Sequence, residues 1–143
     1  MRWYTHLVFA VFIGLLFKFN LVVGLVCVIA SLIPDIDTPK SKIGNKVKVL
    51  SWILNKVFGH RKLFHSLFFV GILSGIIWIF SFDVAFGFFM GYFSHLLIDG
   101  LNREGIRLFW PFKFKIKGFI KTGSFLEHIL FFILVILIYL FIF

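Results

Sequence analysis

Cysteine is almost absent from this chain. Cys27 is the only one among 143 residues, which excludes an intrachain disulfide and any cysteine-based zinc motif. Because it lies inside an apolar run, it reads as a small buried hydrophobe. Charge is also scarce, at 15% of residues, and acids scarcer still: 6 Asp and Glu against 15 Lys and Arg, a formal net charge of +9. No repeat or low-complexity linker marks a second unit, so residues 1–143 read as one domain.

What fills the sequence instead is apolar. The hydrophobic fraction is 61%, 23 residues are Phe, and the mean hydropathy is +1.05. A water-soluble domain of this size has too little interior to hide so much apolar surface. Lipid is therefore the expected solvent, and the bilayer the expected partner. In a soluble chain the basic surplus would suggest nucleic acid. Here the basic residues flank apolar runs, so loops facing an anionic leaflet account for them, and no nucleic-acid partner is expected. The N-terminal stretch has no small-residue cleavage pattern and reads as a retained segment.

The pattern predicts an all-α fold: a polytopic membrane bundle of about five helices, a short N-terminal hairpin plus three longer spans. The first apolar block, residues 7–33, is interrupted by Lys18-Phe19-Asn20. A single helix would hold that Lys and Asn near mid-membrane at a cost of several kcal/mol. Two limbs of about 13 residues turning there bring both to the far interface, each limb roughly 20 Å long. That is thinner than the roughly 30 Å hydrocarbon core, so the hairpin is re-entrant or sits in a thinned bilayer. Pro34 closes its second limb. A polar connector, 35–62, carries an amphipathic piece at 47–57. Residues 64–82 are long enough to span, Ser81-Phe82-Asp83 turns, and 84–101 return. A second connector, 102–124, reads as extended or interfacial, and 125–143 make the last span. Thirteen basic residues sit in the two connectors, whereas the opposite turns offer only Lys18 and Asp83. The positive-inside rule puts both connectors, and the N-terminus, in the cytoplasm of a multi-pass inner or plasma membrane protein.

On this topology the histidines and carboxylates gather at one membrane face. His6 opens the first limb, Asp35 and Asp37 end the second, and His60 and His65 precede the third helix. His95 and Asp99 end the fourth, while Glu127 and His128 start the last. His95 and Asp99, four apart on a helix, project from one face and can bind the same cation. Asp35-Ile36-Asp37 follows Pro34 on backbone freed from the helix. Each feature has an ordinary reading alone: a buried hydrogen-bonded pair, a helix cap, a solvated basic loop, a favourable charge in a first turn. Their coincidence at one face does not, since ionisable groups beside lipid are functional candidates by default. Imidazoles with carboxylates and no thiolates suit Zn, Mn or Fe better than Ca or Mg. The number of groups supports two or three divalent ions, with water as nucleophile.

Leu32-Ile33-Pro34-Asp35-Ile36-Asp37, Gly59-His60-Arg61 with His65-Ser66, Ser94-His95 with Asp99, and Trp110-Pro111-Phe112 resemble the YdjM-like family. That family is described as membrane-bound metal-dependent hydrolases, some of them LexA-regulated, and the likeness runs from His6 to Glu127. It implies a multi-helix membrane fold with a metal site at the His and Asp positions. More distantly, the chain is similar to the all-helical zinc-dependent phospholipases C, which use HxxxD and HxxxE pairs. Two departures stand out: Thr38 follows the Asp-x-Asp where the family often has His, and Lys62 and Phe64 replace a Gly and a Thr.

The expectation is a metal-dependent hydrolase at the cytoplasmic membrane surface, acting on a phosphoester or phospholipid. His6, Asp35, Asp37, His60, His65, His95, Asp99 and Glu127 are the expected ligand set and its surroundings. Asp37 or Glu127 is the candidate general base, and Arg61, Arg103 and Arg107, with Lys62, are placed to hold substrate oxygens. The alternatives are a zinc-type lipid amidase and a divalent-metal transporter, although a carrier needs ionisable groups spread through the membrane depth.

Overall fold

The computed structural model describes residues 1–39, 41–58 and 62–143. Among them it has six α-helices and no β-strand: α1 Trp3–Leu16, α2 Leu21–Ala30, α3 Lys48–Phe58, α4 Leu67–Trp78, α5 Phe82–Gly100 and α6 Phe125–Ile142. Five of them form the bundle, and α3 lies within the first connector. α5 is central, packing on α1, α2 and α4, while α6 packs on α1.

The expected hairpin is present. Lys18 takes a left-handed backbone (φ 51°), which reverses the chain between α1 and α2. Asn20 caps α2 by accepting from Val23 N (2.9 Å), and its amide donates to Asp83 Oδ2 (3.2 Å). The Lys18 turn and the Ser81–Asp83 turn thus meet at the end of the bundle opposite His6 and His95.

The span expected over 64–82 is shorter than the sequence suggested. A 3-10 turn, Leu63–His65, precedes it, Ser66 caps the helix by accepting from Phe69 N (3.3 Å), and α4 has only 12 residues. Tighter i→i+3 bonds at Ile79 and Phe80 end it. Twelve residues rise about 18 Å, well under the hydrocarbon thickness. The physical reason is local: the chain before α4 bends to carry His65 inward instead of continuing the helix. Only α6, among the described residues, is long and apolar enough to cross a membrane. Glu127 and Leu134 are its buried residues; Phe132, Ile136 and Leu140 face outward.

The tightest seam is between α2 and α5, which run parallel. A Cβ added at Gly91 would lie 2.0 Å from the Cys27 carbonyl oxygen, and one at Gly87 would lie 2.7 Å from that of Val23. Small residues four apart let two backbones approach closely, the packing common between helices in lipid. The register continues by one more turn: Val23 opposite Gly87, Cys27 opposite Gly91, and Ser31 opposite His95.

The second connector is extended, returning on itself through bridges between Asn102 and Ile120 and between Ile106 and Ile116. Buried Asn102 donates to Thr122 Oγ1 (2.7 Å) and accepts from Glu104 N (3.1 Å), fastening this segment beneath the end of α5.

Gly91→Ala is expected to destabilise the protein by about 1–3 kcal/mol through overpacking, read as a lowered melting temperature in detergent. Gly71→Ala, where an added Cβ meets nothing within 4 Å, is the control and is expected to melt with the parent. Identical melting of all three proteins would mean that α2 and α5 do not touch at Gly91.

Candidate metal centre

Four separate stretches of chain converge at one end of the bundle. α1 supplies His6 from its first turns. After α2, Pro34 sits in a 3-10 turn, Ile33–Asp37, which carries Asp35 and Asp37. The turn before α4 brings His65, and the last turns of α5 bring His95 and Asp99. His6, Asp37, His65, His95 and Asp99 are buried, and the Asp35 side chain is 16% exposed.

Each is held by its own neighbours. Tyr92, one turn before His95, donates its hydroxyl to the Phe64 carbonyl (2.7 Å), fixing the approach to His65. Ser41 Oγ donates to the Asp35 carbonyl (2.6 Å) and accepts from Gly44 N (2.8 Å). Asn55 of α3 donates to the Asp37 carbonyl (2.9 Å), and Thr38 Oγ1 donates to Asp37 Oδ1 (2.9 Å).

His95 Nδ1 lies 2.7 Å from the Ser31 carbonyl oxygen. A carbonyl can only accept, so Nδ1 carries the proton, and in the neutral ring Nε2 presents a lone pair. That lone pair faces carboxylates: Asp99 Oδ2 at 3.7 Å and Asp35 Oδ1 at 3.9 Å. His6 stacks on His95 with ring centroids 3.8 Å apart, its Nε2 3.5 Å from Asp99 Oδ1. His65 reaches Asp37 Oδ2 through Nδ1 and Asp99 Oδ2 through Nε2, both at 3.5 Å. Neither ring nitrogen of His6, nor Nε2 of His95, makes a hydrogen bond among the described residues.

Two sets of donors can share a cation, His6 with Asp35 and His95, and His65 with His95 and Asp99; within each set the ligand atoms all lie within 4.8 Å of one another. Bonds of about 2.1 Å around a tetrahedral zinc place its donors about 3.4 Å apart. The contacts of 3.5 to 3.9 Å seen here are long for hydrogen bonds and near the edge of such a tetrahedron. The residues therefore fit a divalent cation.

The electrostatics point the same way. Three carboxylates, Asp35, Asp37 and Asp99, are buried or nearly so, and the Met1 amino group is the one formal cation touching them among the described residues, at Asp99 Oδ1 (2.5 Å). Burial raises the Asp35 carboxyl above its ordinary pKa, against the lowering field of His6. Burial depresses the His65 imidazole, but the Asp37 and Asp99 carboxylates beside its two ring nitrogens outweigh it and lift the pKa to about 9. A cation placed among these carboxylates is favoured by the same charges.

Not every expected site residue joins the cluster. Glu127 accepts from Arg2 N (2.6 Å), Thr5 Oγ1 (3.2 Å) and Gly123 N (2.5 Å). Both its oxygens are engaged in tying α6 to the start of α1, so it holds the chain that carries His6. Asp37 Oδ2 faces His65 Nδ1 at 3.5 Å, on the side of the ring away from Asp99. His128 Nδ1 donates to the Ser124 carbonyl (2.8 Å) at the start of its own helix. Arg103 is exposed and Arg107 half-buried in the second connector. His60 and Arg61 lie outside the described residues. Sequence reasoning missed the Ser31 carbonyl and the Tyr92 hydroxyl; the four-residue spacing of Gly87, Gly91 and His95 was the available signal.

Helices with outward apolar surfaces around a buried His and Asp cluster define an all-α membrane protein. The comparison with known proteins is specific: the model of the YdjM inner membrane protein family matches residues 1–143, and the chain belongs to that family. It is 38% identical over 105 residues to "Uncharacterized protein YvsG" of Bacillus subtilis (strain 168), covering 71% of this chain and 66% of that one. It is 34% identical over 99 residues to "Inner membrane protein YdjM" of Escherichia coli (strain K12), covering 63% of this chain and 50% of that one, and equally to its namesake in Shigella flexneri. The aligned region thus spans from half to just under two thirds of these relatives' length. No solved structure matches the chain.

Glu127→Gln leaves one oxygen where three donors converge and turns an amide N–H toward at least one of them. A loss of about 1–3 kcal/mol is expected, seen as a lower melting temperature, with metal content at saturation unchanged. Loss of metal with unaltered melting would instead make Glu127 a ligand.

Proposed function

We propose that this chain is a multi-pass membrane hydrolase that depends on divalent metal and works at the cytoplasmic surface of the inner membrane. The observation that carries the reading is the set of lone pairs at the centre. His95 Nε2 is stripped of its proton by the Ser31 contact, and it faces two carboxylates and a stacked imidazole in a buried space. Acceptors facing acceptors away from water are costly unless a cation joins them. Zinc suits this oxygen and nitrogen donor set, with Mn or Fe as competitors.

His6, His65 and His95 would hold the metal with Asp35 and Asp99, two or three ions being within the capacity of the cluster. A bound divalent ion supplies a Lewis acid and lowers the pKa of water enough for hydrolysis at neutral pH. Asp37, against His65, keeps that ring turned toward Asp99 and is the group placed to take a proton. Lys62, Arg103 and Arg107 supply positive charge in the connectors for anionic substrate oxygens. The substrate class that this supports is a lipid phosphoester, because the cluster lies at one end of the bundle and both connectors are basic. The positive-inside bias supports the cytoplasmic placement of those connectors. Donors confined to one end of the bundle favour a fixed catalytic site over a transport path.

Elemental analysis of protein purified in mild detergent tests the centre. The parent is expected to carry divalent metal, and His95→Ala/Asp99→Ala to lose it. Chelation is expected to lower the melting temperature of the parent and leave that of the double variant unchanged. Metal content that is the same in both proteins would end the reading. With metal established, release of phosphate product from lipid phosphoesters supports the proposed substrate class. Release of fatty acid alone would make the protein an amidase, and cation flux into liposomes a transporter.

A further inference from the structure

The helix α3 is built inside out for a water-soluble surface. Its inward side carries the polar residues: Ser51 is buried, and half-buried Asn55 donates to the Asp37 carbonyl (2.9 Å). Its outward side carries Val49, Leu50, Trp52, Ile53 and Val57, all exposed, with Val49 at 75% and Val57 at 65%. At 100° per residue these side chains cover an arc of roughly 160°. Water does not select such a face, and among the described residues no other part of the chain covers it.

Its charge identifies what does. No acid occurs between Asp37 and Asp83, while Lys42, Lys46, Lys48, Lys56 and Lys62 are all exposed around this helix. Lys56 Nζ lies over the Trp52 ring at 4.9 Å, so the charge travels with an aromatic side chain suited to the headgroup level. An apolar arc with Lys48 beside it, Lys56 rising from within it and no acid nearby is the composition of a helix that lies in the plane of a membrane interface. We infer that α3 is an in-plane anchor whose apolar face enters the leaflet and whose lysines engage anionic lipid headgroups. Through Asn55 it is tied to the backbone of Asp37, so lipid engagement bears directly on the turn that carries Asp35 and Asp37. The inference stands apart from the metal reading, since it needs only the membrane and the exposed face.

A single cysteine at Val49 (Val49→Cys), labelled with an environment-sensitive fluorophore, tests it in full-length protein. Cys27 is buried and stays in place, and labelled parent gives the background. Nanodiscs of phosphatidylcholine are compared with discs that also contain phosphatidylglycerol, with iodide as aqueous quencher. The expected result is a blue-shifted label whose quenching falls severalfold in the phosphatidylglycerol discs. That protection should be lost at high salt or in a Lys46→Gln/Lys48→Gln/Lys56→Gln background. An Asn45→Cys label, on the exposed polar approach to the helix, is expected to stay quenchable throughout. Equal quenching of the Val49 label in both kinds of disc would overturn the inference. So would protection that persists in detergent and rises with protein concentration, which would make the face a contact between copies of the chain.

Discussion

The distance between α2 and α5 governs the chemistry of this protein. Gly87 and Gly91 let α5 rest on the backbone of α2, since any side chain there would overlap the Val23 and Cys27 carbonyls. One turn further along the same parallel register, the residue facing α2 is His95 and the group facing it is the Ser31 carbonyl. That carbonyl lies at the C-terminal end of α2, where the last carbonyls of a helix have no partner within it. The imidazole satisfies one, and in doing so fixes its own tautomer. Packing in the seam thereby sets which nitrogen of His95 is free.

Around that seam two helices of the bundle, α2 and α4, are short, at 10 and 12 residues. The 3-10 turns at Ile33–Asp37 and Leu63–His65 interrupt what would otherwise be longer spans. Each interruption releases backbone near the level of His95 and sends acidic or imidazole side chains into the centre. Irregular backbone close to lipid is tolerated where it is buried in protein and its polar groups are satisfied. Here Ser41, Ser66 and the Tyr92 hydroxyl provide that satisfaction. Glu127 does the equivalent for the start of α1, accepting from Arg2 and Thr5 so that His6 is presented in register.

The polar interior and apolar exterior also explain why the chain has so few acids. Asp35, Asp37, Asp99 and Glu127 are drawn inward, and Asp83 pairs with Asn20 at the far end. What remains on the connectors is overwhelmingly basic, a distribution suited to an anionic leaflet.

Much of this was legible in the sequence. An apolar fraction of 61% required lipid contact, and Lys18-Phe19-Asn20 required a turn, because a Lys and an Asn cannot sit unpaired in hydrocarbon. The spacing of His95 and Asp99 placed both on one helical face, and Pro34 freed the two aspartates beyond it. These inferences succeed because they rest on local geometry and on the cost of polar groups in lipid. Other features depend on contacts between segments distant in the chain. The sequence placed Glu127 at the same face as the cluster, and only the structure shows Arg2, Thr5 and Gly123 donating to its oxygens. It made residues 64–82 look like one span, yet the helix begins at Leu67, after the turn that carries His65, and ends at Trp78. Which nitrogen of His95 is free, and which acid orients His65, only the packed structure decides. Periodicity reports the face on which a side chain lies, whereas its partner depends on how closely two helices approach.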